Sequence, residues 1–249
     1  MKFARNLLTA SLAALIAVSP AVAKPADFAA IVADPARTPD NRKQDDGRQP
    51  AAMLDFAEVK RGQTIADFMA GGGYYTEMLA RAVGPKGMVL AMNPTGFHDS
   101  KKWDALTKAR PNVGVLVRSV HEMRLAPRSV DMIFTHLVFH DLWWESERFK
   151  FARVDTDAML ANWFAAVRPG GSVIIIDHVG PAGDIRATVD KLHRIDPANA
   201  RAAMERAGFV LEASSEALRT PGDDLGVNVF DAKVRGKTDR FVMRFRKPA

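Results

Sequence analysis

Titratable side chains collect at three places in the chain, each beside an apolar run or a helical stretch. His136 and the pair His140-Asp141 follow the apolar run 130–135. Asp177-His178 closes the β-branched run 172–177, and His193-Arg194-Ile195-Asp196 leads into a helical stretch at 197–207. An imidazole near a carboxylate can take the proton of a reacting group. His140 is the first candidate for such a base, with Asp141 beside it and His136 behind it. His178, His193 and Arg194 place further polar groups on one rim of a pocket, where Arg194 could bind an anionic molecule. The same groups could hold a divalent cation together with Asp141. That needs nitrogen and oxygen ligands converging in space, which spacing does not show, so no metal is assigned. The absence of cysteine removes disulfides, zinc–cysteine sites and thiol nucleophiles.

A fourth place is a turn rather than a charge. Asp67 ends the apolar run 64–68, and Ala70-Gly71-Gly72-Gly73 leads into a helical pattern over 74–83. Glycines let the backbone approach a ligand, and the helix N-terminus behind them presents free N–H groups. Tyr74 and Tyr75 open that helix beside the ligand. A dinucleotide fingerprint needs a small residue where Thr76 stands and an acid where Asn93 ends the next strand. A nicotinamide enzyme is therefore disfavoured.

The elements that must position these groups alternate. Runs 64–68, 88–92, 113–117, 130–135, 172–177 and 209–213 read as strands, and Phe241, Met243 and Phe245 mark a last one with period two. Helical patterns cover 74–83, 99–109, 155–167 and 197–207, and Arg168-Pro169-Gly170-Gly171 reads as a tight turn into 172–177. This pattern predicts an α/β three-layer sandwich around a mainly parallel seven-stranded sheet. The late strands near Phe209 and Phe241, with no helix between them, predict an antiparallel C-terminal edge. Ahead of this, 24–60 reads as an N-terminal arm with cap helices: a short helix at 27–33, an extended polar stretch to 48, and a helix from Pro50 to about residue 59.

The run Asp67-Phe68-Met69-Ala70-Gly71-Gly72-Gly73 resembles the first motif of class I, Rossmann-like S-adenosylmethionine-dependent methyltransferases. The resemblance continues through 87–93, 129–134, 137–142 and 167–172, and so covers about 60–249. More narrowly, Gly-Gly-Gly-Tyr-Tyr-Thr, His193-Arg194-Ile195-Asp196 and the closing Thr238-Asp239-Arg240-Phe241 resemble an exported bacterial methyltransferase group. The resemblance implies S-adenosyl-L-methionine as cofactor, with Asp67, Ala70, Gly71 and Gly73 around its methionine part. Asn93 takes the ribose place, and Ser119, Val120 and His121 line the adenine. Two departures stand out: Met69 replaces the first glycine of the motif, and Asn93 replaces an acid. The chain also lacks the Pro-Pro-Tyr segment of amino-methylating enzymes, which points to an oxygen, sulfur or carbon acceptor on a small molecule. Catalytic work falls to His140, Asp141 and His136, and acceptor binding to Tyr74, Tyr75, His178, His193 and Arg194.

The beginning of the chain reads as a secretory signal peptide over residues 1–23. Lys2 and Arg5 precede a short apolar stretch, and Ala21-Val22-Ala23 is a small-residue cleavage site. The expected destination is the periplasm or the exterior, without stable membrane insertion. Removing Lys2 and Arg5 takes the formal net charge from +6 to +4. That mild charge, with the cations gathered near the end, argues against nucleic acid as a partner. The alternative is an exported, non-catalytic protein that binds an adenosyl compound on the same fold.

Overall fold

The computed structural model describes residues 26–249; the signal-peptide segment lies outside the described residues. Seven strands form one sheet: β1 (Thr64–Phe68), β2 (Met88–Pro94), β3 (Val113–Arg118), β4 (Val130–His136), β5 (Val167–His178), β6 (Val210–Ser215) and β7 (Arg240–Arg246). Their order is β3-β2-β1-β4-β5-β7-β6. The first five strands run parallel, and β7 is antiparallel to both β5 and β6. The last strand thus enters between two earlier ones, and β6 forms the edge. The order reverses direction at β1, and the crevice beyond the carboxyl ends of β1 and β4 is where such sheets bind ligands.

Alternation along the strands divides the interior into two layers. In β5, Val173 and Ile175 join one buried cluster while Ile174 and Ile176 join the other. The first cluster receives Met159, Leu160 and Trp163 of α6 (Thr156–Ala166), Val189 of α7 (Ile185–Leu192) and Met204 of α8 (Pro197–Arg206). The second receives Met53 and Leu54 of α3 (Pro50–Phe56), Met78 and Leu79 of α4 (Tyr74–Val83) and Trp103 of α5 (Ser100–Ala109). A strand apolar on both faces belongs in the middle of such a sandwich. Several helices start on an aspartate that accepts a backbone N–H of the first turn: Asp99 for α5, Asp155 for α6, Asp184 for α7 and Asp196 for α8.

Three details depart from the pattern of the sequence. Residues 168–171 do not stand apart as a turn but form a kink inside β5, with Gly170 at φ 73° and the β4–β5 register shifting between Val130 and Met132. Residues 185–192 form a further helix, with Ile185, Val189 and Leu192 at i, i+4 and i+7 on one face. The polar stretch after α1 (Phe28–Ala33) is not extended: it contains α2 (Pro39–Arg42) and folds back onto α4. The cause is Arg37, 1% exposed. Its guanidinium holds Asp45 at 2.7 and 2.9 Å, Glu77 of α4 at 3.0 Å and the Val32 carbonyl at 2.8 Å. A buried guanidinium with two carboxylates and a carbonyl fixes a segment that has few apolar groups of its own.

Candidate active site

The glycine loop leaves β1 with Met69 at φ 51°, Gly71 at φ 57° and Gly73 at φ 80°. Met69 therefore adopts the left-handed conformation that the replaced glycine would supply, at a cost of about 1–2 kcal/mol. Its side chain is buried in the first apolar cluster, which offsets that cost. The loop is held by Ala70 N–H to the Met92 carbonyl at 3.0 Å and by the Trp103 indole N–H to the Gly71 carbonyl at 3.1 Å. A Cβ on Gly71 would meet nothing within 4 Å, so this backbone borders open space.

That space is a cavity of about 330 Å³. Asp67, Ala70, Gly71, Tyr74 and Tyr75 line one side, and His136 and Leu137 from the end of β4 line another. Asn41, Gln44 and Arg48 of the N-terminal arm close it, and Lys102 of α5 crosses the loop near Gly72. The Asp67 carboxylate is 3% exposed and accepts a hydrogen bond from the Thr76 hydroxyl. Burial outweighs that bond and raises its pKa to about 7.

His136 faces the same cavity, with its ring 4.8 Å from that of Tyr75. Its Nε2 is buried without a hydrogen-bond partner among the described residues. Burial, then the charges of Arg48 and Arg240, hold its pKa well below the usual value, so the ring is neutral.

His140 is built differently. Its Nδ1 lies 2.8 Å from Asp177 Oδ1, its Nε2 3.3 Å from Asp141 Oδ1, and its backbone N–H donates to Asp177 Oδ2 at 2.7 Å. Burial disfavours the cation, but Asp177 and then Asp141 outweigh it and raise the pKa to about 10. Asp141 is lowered to about 2 because His140 outweighs its own burial. An imidazolium with a carboxylate at each nitrogen is not a free base at neutral pH, and His140 does not line the cavity. Of the two histidines it is His136, the second candidate of the sequence, that borders the cavity.

His193 completes this cluster, its Nδ1 3.6 Å from Asp141 Oδ1. The nearest donor atoms of His140, Asp141 and His193 all lie within 4.8 Å of one another, a set of the kind that can hold a divalent cation. Arg194 is not available for a ligand. It is fully buried, pairs with Asp223 at 2.7 Å and donates to the Val179 and Val227 carbonyls. His178 is 7% exposed, its Nδ1 2.7 Å from the Thr238 hydroxyl, and borders a second cavity. Tyr74 donates to Asp45 at 2.7 Å, and Tyr75 reaches the Arg48 carbonyl at 3.4 Å.

The rest of the expected cofactor set lies off the cavity wall. Gly73 is the residue from which α4 starts. Asn93 is fully buried at the end of β2, and both its amide atoms lack partners among the described residues. Val120 is buried in the core, while Ser119 Oγ and exposed His121 Nδ1 approach to 2.9 Å.

Residues 66–175 match the sequence profile described as a methyltransferase domain. The chain has a methyltransferase fold. It is similar to a SAM-dependent methyltransferase from Aquifex aeolicus at 23% identity, covering 89% of this chain and 98% of that one, with a TM-score of 0.57. It is also similar to an S-adenosylmethionine-dependent methyltransferase from Mesorhizobium loti, at 16% identity over 82% of this chain and 99% of that one, TM-score 0.56. A TehB-like SAM-dependent methyltransferase from Corynebacterium glutamicum matches at 19% identity, 79% and 86% coverage and a TM-score of 0.51. The cofactor that the methyltransferase domain implies is S-adenosyl-L-methionine. The residues present suit it. Gly71 leaves room where a side chain would intrude and Asp67 offers a carboxylate to an amino group, whereas Asn93, fully buried and off the cavity wall, does not reach a ribose there.

Proposed function

We propose that this protein is an exported S-adenosyl-L-methionine-dependent methyltransferase acting on a small-molecule acceptor. The observation that carries the reading is one cavity shared by a buried carboxylate, a left-handed glycine loop and a neutral, unpartnered imidazole. Asp67, Ala70 and Gly71 hold the methionine part of the cofactor. Bound there, S-adenosyl-L-methionine supplies an electrophilic methyl group. Alignment of the two reactants contributes much of the rate of such a displacement. His136 Nε2 accepts a hydrogen bond from the acceptor and takes its proton where the acceptor is a hydroxyl or thiol. The His140–Asp177–Asp141 clamp positions the loop after β4 and does not itself exchange the proton.

The export part of the proposal rests on the leader pattern of the first 23 residues. Among the described residues no helix is long and apolar enough to cross a membrane. A protein that only held an adenosyl compound would use the same cavity, but no feature of the site favours holding over transfer.

The test is calorimetric titration of the purified protein with S-adenosylmethionine, S-adenosylhomocysteine and NAD. Saturable binding of the first two and none of the third is expected. Binding of none, or of NAD alone, would end the cofactor assignment. Appearance of S-adenosylhomocysteine with an added acceptor separates transfer from holding, and fractionation of the producing cell tests export.

A further inference from the structure

Beside the first cavity lies a second, of about 420 Å³, and the two share Gln44, Arg48 and Leu137 on their walls. A molecule in one is therefore next to a molecule in the other. The second cavity is lined by Lys43, Arg48, Arg235 and Arg240, and no acid stands among its lining residues. His178 on the same wall is held neutral, burial being the main cause and nearby cations adding to it. Leu137, Val229 and Phe230 supply an apolar side.

Two of these cations are not ordinary surface charges. Arg240 is 4% exposed and has no carboxylate within ion-pair distance among the described residues. Its contacts are the Gly47 carbonyl at 2.6 Å, the Gly236 carbonyl at 3.2 Å and the Thr238 hydroxyl at 3.5 Å. Carbonyls satisfy some donors but not the charge. Arg48 is half-buried, lies with its guanidinium carbon 4.3 Å from the Tyr74 ring centroid, and makes no side-chain hydrogen bond among the described residues. The nearest acid on its own segment, Asp45, is already taken by Arg37 and Tyr74. Elsewhere the chain neutralises its buried arginines: Arg37 has Asp45 and Glu77, and Arg194 has Asp223. Guanidinium stays charged under all ordinary conditions, and a buried one calls for an anion.

We infer that the second cavity binds the methyl acceptor and that the acceptor is an oxyanion, its carboxylate or phosphate group held by Arg48 and Arg240 with an apolar body against Leu137 and Phe230. This rests on the methyltransferase reading for the word acceptor, but not for the anion site. Arg194, where the sequence pattern placed an anion, is replaced in that role by Arg48 and Arg240. Lys43 and Arg235, both exposed, stand at the rim and draw the anion in.

The test uses the purified protein without cofactor and two isosteric probes, 4-hydroxybenzoate and its neutral amide 4-hydroxybenzamide, with inorganic phosphate as a third. The acid should bind about tenfold or more tightly than the amide, and phosphate should compete with it. Arg48→Gln should remove about tenfold of the preference for the acid, and Arg240→Gln a similar factor. Since Arg48 makes no side-chain hydrogen bond among the described residues, its variant decides the matter even where Arg240→Gln folds poorly. Equal affinity for acid and amide, absence of binding by both anions, or unchanged preference in Arg48→Gln would overturn the inference. S-adenosylhomocysteine is titrated in parallel. Its failure to bind while the anions do would remove the cofactor reading and leave the anion site standing.

Discussion

Asp67→Asn is the substitution from which most can be learned, because the structure demands opposite effects on stability and on cofactor affinity. Burial raises the carboxyl to about 7 in the folded protein, against about 3.9 in an unfolded chain. The unfolded state thus releases this proton first, and the native state must carry a charge that it disfavours. Through this group stability is highest below pH ~4 and falls as pH rises to ~7. The difference of about 3 units corresponds to at most ~4 kcal/mol above that window. Asparagine keeps an acceptor for the Thr76 hydroxyl and removes the charge. At pH 8 the variant should melt several degrees higher than the wild type, about 2–4 °C for each kcal/mol recovered. At pH 4 the two should melt together. Cofactor binding should move the other way. If the ionised carboxylate receives the amino group, wild-type affinity for S-adenosylhomocysteine should rise about twentyfold between pH 5.5 and 7.5. The variant should bind weakly and without that slope. Thermal melts and calorimetry on both proteins at the same pH values remove the contribution of other titrating groups. A wild-type affinity independent of pH, or an Asn variant no more stable at pH 8, would refute the reasoning.

Four further outcomes follow from named contacts. Asp177→Ala removes the acceptor of two backbone N–H groups and of the His140 ring, and leaves an imidazolium less compensated; a loss of about 3–5 kcal/mol, or roughly 10 °C in melting temperature, is expected, and an unchanged melt would disprove the clamp. Because His140 is raised from about 6.5 to about 10, its share of stability is complete below pH ~6.5 and is lost as pH rises through ~10; melts between pH 8 and 10.5 should fall, and less steeply in His140→Gln. Gly73→Ala places a Cβ 2.5 Å from Leu106 Cδ1 at a φ of 80° and should lower stability by about 2 kcal/mol, whereas Gly71→Ala points into open space and should weaken S-adenosylhomocysteine binding with a smaller change in melting; calorimetry and melts on the pair tell the two roles apart. His136→Ala should bind the cofactor normally but lose about 10²–10⁴-fold in turnover of a hydroxyl acceptor, and full turnover would mean that no base is needed.

The sheet was legible because its strands announce themselves. The run 172–177 is β-branched and buried on both faces, and Gly84 ends the helix that Tyr74 begins. Likewise the turn after β1 could be read from glycines at a strand end, where Gly71 and Gly73 take positive φ. What escaped the sequence depends on residues distant along the chain. α7 is an exception: Ile185, Val189 and Leu192 stand at helical spacing behind the Asp184 cap, but the run is only eight residues long and so short for a helix signal. Arg37 looked like part of a solvated arm because its partners, Asp45 and Glu77, meet it only after folding. Arg48 and Arg240 stand at opposite ends of the described chain, so no spacing could pair them. His140 looked like a base because a histidine beside an aspartate suggests one, while Asp177, which holds its other nitrogen, comes from a different strand.

The meeting of Gly47 with Arg240, and of Gln49 with the Ala217 carbonyl at 2.8 Å, ties the beginning of the fold to its last strand. One wall of the second cavity comes from residues 43–48 and another from residues 229–240. Until β7 has slid between β5 and β6, the sheet has an unfilled slot and that cavity has no second side. Its ligand can bind only the completed molecule, so occupancy will pull the folding equilibrium toward completion by mass action. A chain stopped short of Arg240 would lack both the strand that joins β5 to β6 and one of the two guanidinium groups on that cavity's wall.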